Sequence, residues 1–120
     1  MFMYLCVFIL FDTVCFDHLG MKDGSINDEQ LTASSSWYHY TPDEGRLDNL
    51  YYHWESDYYG NDRNPWIQID LGYSTKISGI ITQGGQFEWV TTLKVSYYRE
   101  GSDQEIFITD ESRSPKVCTV

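Results

Sequence analysis

Basic side chains are scarce in this chain of 120 residues. It has 8 Lys and Arg residues against 18 Asp and Glu residues, which gives a formal net charge of −10 and an isoelectric point of about 4.4. A protein with this balance repels phosphate backbones and anionic bilayers unless calcium or a local basic patch intervenes. We therefore expect no nucleic-acid partner.

Long apolar runs and helical periodicity are also missing. The apolar run in residues 1–11 is shorter than the roughly 20 residues of a membrane-spanning helix. No window repeats apolar residues at the three- and four-residue spacing of an amphipathic helix. Apolar residues alternate with polar ones instead, which predicts an all-β protein.

Two interpretations are open for residues 1–14. The apolar run fits the central region of a secretory signal peptide, but no Lys or Arg precedes it and the small residues of a cleavage site are missing. The alternative is that these residues are the edge of an incomplete sequence. The three cysteines are Cys6, Cys15 and Cys118. Removal of the first with a signal peptide leaves two, a number that can pair.

Catalytic motifs are missing as well. The histidines His18, His39 and His53 lack the spacing of a zinc-binding helix. The serines at positions 34–36 lack a Gly-x-Ser-x-Gly motif. We therefore expect a protein that is not an enzyme.

Aromatic residues, in contrast, are abundant, at 17% of the chain with 10 Tyr and 4 Trp. This is more than a small core needs, so part of the set is expected on the surface, where rigid rings serve recognition. Many of these rings fall in residues 34–65, a segment without strand alternation that is rich in acidic and turn-forming residues. Such a long segment in a compact domain is either functional or disordered. Its aromatic content argues against disorder and thus favours a functional region.

Three segments carry a strand pattern, namely residues 66–72, 77–84 and 89–97. In the first and third segments, apolar residues at alternate positions fall on one strand face. They are Ile67, Ile69, Leu71, Leu93 and Val95. Short turn sequences separate the segments, so we predict an antiparallel sandwich or barrel with these five residues in its core.

The three strand segments and the motifs that precede them resemble one family. The earlier motifs, in order, are Cys15, Leu19-Gly20-Met21, Ile26, Leu31-Thr32-Ala33-Ser34-Ser35 and Arg46-Leu47-Asp48. This order is similar to that of the discoidin domain, also called the coagulation factor 5/8 type C domain. The resemblance implies an extracellular, non-catalytic binding module with an antiparallel β-sandwich or jelly-roll barrel.

The resemblance also implies the limits of the domain. Residues 15–109 correspond to a discoidin-like domain that is incomplete, because the family continues through further strands to a closing cysteine. Residues 110–120 are then a polar tail, and other domains of a longer parent protein are expected. The family joins its two ends by a disulfide from the position of Cys15. Since residues 110–116 lack the alternation of a closing strand, Cys118 is not the expected partner.

In this family, ligands are bound by loops that project from one end of the barrel. The residues in the matching loops are Trp37, Tyr38 and Tyr40 in the first, Asp48, Asn49, Tyr51 and Tyr52 in the second, and Phe87 in the third. Alternatively, the first-loop rings cover the open end of the barrel and Phe87 packs under Trp89. The resemblance implies structural roles for Arg46, paired with a carboxylate, and for Leu47 and Trp54, packed in the core.

The charges near these loops favour a glycan or an extracellular protein as the ligand. Phospholipid-binding members of the family place basic residues around apolar loop tips, whereas carboxylates outnumber Arg46 and Arg63 here. Anionic phospholipid is the alternative partner. No cofactor is expected, although calcium stays open because Asp57, Asn61 and Asp62 offer oxygen ligands. Their spacing does not fit a helix-loop-helix calcium site.

Overall fold

The computed structural model describes residues 19–75, 77, 79–85, 87–108 and 117–119, the last three by their backbone alone. The chain divides after Trp89 into two compact units. Within the described ranges, no helix combines the length and apolar character that a membrane span requires. The predictions for residues 1–14 and for a disulfide from Cys15 lie outside the described residues.

Six short strands form three antiparallel pairs, and no α-helix occurs among the described residues. The strands are β1 (Leu31–Ala33), β2 (Ile67–Ile69), β3 (Thr92–Lys94), β4 (Ser96–Tyr97), β5 (Ile106–Phe107) and β6 (Val117–Thr119). The first unit contains the β1–β2 pair and two 3-10 turns, at Asp28–Gln30 and Pro42–Gly45. The second unit contains the β3–β6 and β4–β5 pairs. The predicted all-β character is confirmed.

Alternation along β1 and β2 sets the core of the first unit. Their register places Leu31 opposite Ile69, and both side chains turn inward, whereas Thr32 and Gln68 between them are exposed. The buried cluster is Met21, Ile26 and Leu31, and Leu19, Ile69 and Leu71 pack against it. Each fully buried side chain of this kind stabilises the fold by about 1.5–3 kcal/mol.

Arg46 holds the loop that precedes β1. Its guanidinium donates hydrogen bonds to the carbonyl oxygens of Met21 (3.1 Å) and Ile26 (2.8 Å) and forms an ion pair with Asp28. A planar fork of donors suits such convergent acceptors better than a lysine ammonium does. The predicted pairing of Arg46 with a carboxylate is confirmed.

The second unit is built on two strand pairs. Leu93 of β3, which is buried, lies opposite Cys118 of β6, and Ser96 of β4 lies opposite Phe107 of β5. Part of the predicted polar tail, residues 110–120, is therefore a strand. Apolar and polar residues alternate only weakly in this part of the sequence. A strand forms there because β3 offers a backbone edge for pairing, and strand formation depends strongly on such a partner.

The five predicted core residues differ in burial. Ile67 and Leu93 are buried, whereas Ile69, Leu71 and Val95 are half-buried. No strand forms among the described residues of the segment 77–84, where Ile77 and Ile81 are exposed. The apolar pattern of this segment is not enough to form a strand, because a strand also needs a partner edge and a packed face.

Candidate functional site

Three loops of the first unit contact one another. Loop 1 is residues 34–44, loop 2 is residues 46–65 and loop 3 is residues 83–89. The backbone of Glu55 joins the first two, because its carbonyl oxygen accepts a hydrogen bond from the Trp37 N–H (2.8 Å) and its N–H donates to the Tyr40 carbonyl oxygen (3.1 Å). Loop 3 reaches loop 2 through Gln83, whose side-chain oxygen accepts from the Asp48 N–H at 3.0 Å. The sequence-predicted loops thus form one connected group.

Trp54 is the buried support of this group. Its side chain is 0% exposed, and its indole N–H donates to the Ser35 carbonyl oxygen at 3.0 Å. The buried Trp54 ring, which belongs to loop 2, therefore holds loop 1 in place through this hydrogen bond. The predicted core role of Trp54 is confirmed, whereas Leu47 is only half-buried.

The tip of loop 1 is a tight turn between Trp37 and Tyr40. The Tyr40 N–H donates to the Trp37 carbonyl oxygen at 2.9 Å, and Tyr38 has a φ of 46°. A bulky residue in this left-handed region is strained, and such strain concentrates at functional sites. The Tyr38 side chain is 75% exposed. The Tyr38 ring therefore points to solvent from a backbone conformation that tyrosine rarely adopts.

Four rings form what we call the aromatic shelf, defined as Trp37, Tyr38, Tyr58 and Tyr59. The Trp37 ring lies 4.6 Å from the Tyr38 ring, edge to face, and 5.1 Å from the Tyr59 ring. Tyr58 and Tyr59 are in turn 5.9 Å apart, and both are exposed. Mutual contact holds the rings in place while their outer surfaces stay open to solvent.

Tyr58 and Tyr59 are exposed rings beside Trp37 and Tyr38 that the sequence analysis did not select. Their signal in the sequence is a Tyr-Tyr pair before a Gly-Asn turn, which resembles the pair at Tyr51 and Tyr52. They are distinguished only in three dimensions, where Tyr59 contacts Trp37 and Tyr58 contacts Tyr59.

Tyr40 has a supporting position. Its ring is stacked on His53, with centroids 4.5 Å apart and planes 16° apart, and lies 6.5 Å from the Tyr52 ring. It is half-buried. The main role of Tyr40 is thus to stabilise loop 2, because little of its ring is open to a ligand.

Asp48 and Asn49 shape loop 2. Asp48 has a φ of 63° and forms an ion pair with Lys22. The Asn49 amide donates to the carbonyl oxygen (3.2 Å) and the carboxylate (2.8 Å) of Glu44, and its oxygen accepts from the N–H groups of Tyr51 and Tyr52. Both amide hydrogens and both lone pairs are therefore used within the loops.

The tips of loops 2 and 3 are exposed. Tyr51 is 86% and Phe87 85% exposed, and Leu50 and Tyr52 are also exposed. Around Phe87 the Gly85 N–H donates to the Glu88 carbonyl oxygen at 2.8 Å, which closes a tight loop. The structure therefore presents the Phe87 ring to solvent.

His53, Glu55 and Glu88 form a polar cluster between loops 2 and 3. One imidazole nitrogen and one carboxylate oxygen from each Glu all lie within 4.8 Å of one another. His53 Nε2 is 3.9 Å from Glu55 Oε2. Burial, followed by the negative charge of Glu88, raises the pKa of Glu55, and burial lowers the pKa of His53. The neutral imidazole is thus favoured.

The acidic residues considered for calcium serve the fold of loop 2. The Asp57 carboxylate accepts from the Gly60 N–H at 2.7 Å. The Asp62 carboxylate accepts from the hydroxyls of Ser34 and Ser35, each at 2.5 Å, and from the Asn64 N–H at 3.3 Å. The two hydroxyl bonds join loops 1 and 2 and lower the pKa of Asp62.

We expect Asp62→Asn to lower the free energy of unfolding by about 1 kcal/mol at neutral pH, because charge-assisted hydrogen bonds are replaced by neutral ones at an exposed site. The folded-state pKa of Asp62 is depressed. Its stabilisation is therefore complete above the unfolded value of about 4 and is lost as the pH falls through the folded value. Urea unfolding at pH 7 and about pH 3 measures this. Asp103→Asn, at an exposed position, is the control, and a pH-independent difference at position 62 would contradict the prediction.

Short antiparallel strands and long loops with exposed rings are typical of an all-β domain of the binding type. The family model for the F5/8 type C domain matches residues 30–113. The chain is 35% identical over 116 residues to the human EGF-like repeat and discoidin I-like domain-containing protein 3, a match that covers 86% of this chain and 24% of that protein. The present chain therefore belongs to the F5/8 type C, or discoidin, domain family.

Two further relatives agree. Rat lactadherin is 35% identical over 119 residues, covering 86% of this chain and 26% of lactadherin. Coagulation factor V of Sus scrofa is 32% identical over 108 residues, covering 83% of this chain and 5% of factor V. The chain thus spans about a quarter or less of the length of these relatives. No solved structure gives a significant match.

Family membership confirms the predicted antiparallel β-sandwich fold. The relatives are extracellular proteins or extracellular domains, which confirms the predicted location. The coarse prediction, an extracellular binding module, is supported by membership of this family.

Proposed function

We propose that this chain is an extracellular recognition module that binds a glycan or protein ligand through aromatic side chains of loops 1–3. The observation that carries the proposal is the exposure of these rings on loops that hydrogen bonds hold together. The proposed contact residues are Trp37, Tyr38, Tyr51, Tyr52 and Phe87 from the sequence prediction, with Tyr58 and Tyr59 added. Tyr40, Asp48 and Asn49 are proposed to position the loops.

A glycan is the ligand class that this chemistry favours. Flat exposed rings provide surfaces for the apolar faces of sugar rings, and large rigid rings contribute contact area at low entropic cost. Carboxylates such as Asp43 and Asp57 lie in the same loops and can accept hydrogen bonds from hydroxyl groups. The aromatic shelf is therefore the proposed stacking surface.

Two cationic side chains near the loops already form ion pairs with carboxylates, which favours a glycan over an anionic lipid head group as the ligand. Lys22 forms its ion pair with Asp48, and Arg46 forms its ion pair with Asp28. An anionic head group that used Lys22 or Arg46 would have to compete with Asp48 or Asp28 for the cation. Membrane binding through acidic lipid depends on such cations near the surface.

Anionic phospholipid is the second candidate, and one observation favours it. Leu50 and Phe87 are apolar and strongly exposed at the tips of loops 2 and 3. Apolar tips of this kind can enter the boundary between head groups and acyl chains.

We expect the labelled chain to bind a defined glycan class on an array, with competition by the free sugar. We expect no co-sedimentation with phosphatidylserine–phosphatidylcholine vesicles, with or without calcium. Phosphatidylcholine vesicles and the heat-unfolded chain are the controls. Sedimentation with phosphatidylserine vesicles and an empty array would establish the second candidate instead, whereas no binding in either assay would leave a protein as the ligand and contradict the glycan assignment.

The domain limits are also proposed. We place the recognition domain at residues 15–109, which shares residues 30–109 with the match of the family model to residues 30–113. The pairing of β6 with β3 lies beyond this range. We further propose that this domain acts beside other domains of a longer protein, as the greater length of the relatives suggests.

A further inference from the structure

The cluster of His53, Glu55 and Glu88 has the composition of a metal site. It combines one imidazole with two carboxylates, and their candidate ligand atoms all lie within 4.8 Å of one another. Ligands of a tetrahedral zinc ion at about 2.1 Å from the metal lie about 3.4 Å apart. The widest pair of ligand atoms must therefore approach by up to about 1.4 Å. Glu88 is exposed and can make this movement by side-chain rotation.

The backbone of loop 2 directs two of these ligands to the same place. Trp54 and Ser56 are buried, and His53 and Glu55 alternate with them. In extended backbone, alternate side chains point to opposite faces. The imidazole and the Glu55 carboxylate therefore share the face opposite the core. The stacked Tyr40 ring then restricts the orientation of the imidazole.

The third ligand comes from loop 3. The Gly85 N–H donates to the Glu88 carbonyl oxygen at 2.8 Å, and this tight loop lies against loop 2. A Cβ atom added to Gly85 would be 3.6 Å from His53 Nδ1. The backbone thus brings Glu88 next to His53 and Glu55, where the two carboxylates repel each other unless one is protonated or a cation lies between them.

We propose that His53, Glu55 and Glu88 bind a divalent transition-metal ion of the zinc type. An imidazole nitrogen is a preferred ligand of zinc, whereas calcium takes oxygen ligands. Three protein ligands leave a fourth position for water or for an oxygen of a bound ligand. Because the ligands come from loops 2 and 3, the ion fastens the loop that carries Phe87 to the loop that carries Tyr51 and Tyr52.

The test is a zinc titration of the 120-residue chain, prepared without a polyhistidine tag, stripped with a chelator and alkylated at its cysteines. Isothermal titration calorimetry is expected to show one zinc ion per chain with micromolar affinity. His53→Gln and Glu88→Gln should each weaken binding by about tenfold or more, as loss of a ligand does. The matched controls His39→Gln and Glu29→Gln, which change the same residue types at exposed positions outside the cluster, should stay within about twofold.

A cobalt titration separates ligand loss from unfolding. Cobalt bound in the site should give the visible absorption of a four-coordinate ion, and His53→Gln should abolish it while the thermal transition of the metal-free variant is retained. No saturable zinc binding up to about 1 mM, equal affinities in all four variants, or tighter binding of calcium than of zinc would each overturn the proposal. This result is independent of the glycan array, because neither assay uses the ligand of the other.

Discussion

Replacement of Trp54 by Ala is expected to lower the free energy of unfolding by about 3–5 kcal/mol. The ring is fully buried, and its loss leaves a cavity and an unpaired carbonyl at Ser35. Domains of this size have a total stability of about 5–15 kcal/mol, so the change removes at least about a fifth of it. Urea unfolding followed by circular dichroism measures the change.

Trp89→Ala is the matched control for Trp54. The same side chain is 61% exposed at position 89, so its removal should change the stability by no more than about 0.5 kcal/mol. Trp54→Phe should lie between the two, because it keeps part of the packing and loses the indole donor. Equal effects at positions 54 and 89 would show that Trp54 does not support the loops.

The double variant Trp37→Ala/Tyr38→Ala is expected to lose ligand affinity by about 30-fold or more, the cost of removing one or two dominant contact residues. The probe is whichever glycan or vesicle the unmodified chain binds in the assays above. The stability should fall by only about 1 kcal/mol, since Tyr38 is exposed and Trp37 is half-buried. Binding curves and urea unfolding of the same preparations separate the two effects.

Tyr73→Ala controls for the general loss of an exposed tyrosine outside the three loops. It should bind as the unmodified chain does. Tyr38→Phe, which keeps the ring and the backbone conformation, should retain most of the affinity. If the double variant binds normally, the aromatic shelf is not the ligand surface; if it unfolds, these rings belong to the core.

Features that depend on local pattern or on several ordered motifs were predictable from the sequence. Alternation at Ile67 and Ile69 indicated a strand, and a strand forms there. The order of motifs identified the family and, through it, the roles of Arg46 and Trp54. The strand predicted at residues 77–84 does not form among the described residues of that segment. An apolar pattern describes a single strand and does not show whether a partner strand is available.

The roles of individual loop residues could not be predicted in this way. Asn49 was a reasonable candidate for ligand contact, yet its amide is used by Glu44, Tyr51 and Tyr52. Nothing adjacent in sequence to Asn49 distinguishes an amide that is free to bind from one that closes a turn. The same applies to Asp62, whose partners Ser34 and Ser35 are in another loop.

The sequence by itself determined the all-β class, the family, the acidic net charge and the three ring-bearing loops that we propose as the ligand site. These follow from residue type, alternation and motif order, which are local or additive properties of the chain. The tertiary structure alone decided that Tyr58 and Tyr59 extend the surface around Trp37, and that Glu88 lies beside His53 and Glu55. The physical reason is that exposure and contact between distant loops depend on how backbone hydrogen bonds close those loops around Trp54, and residue type and spacing do not specify that closure.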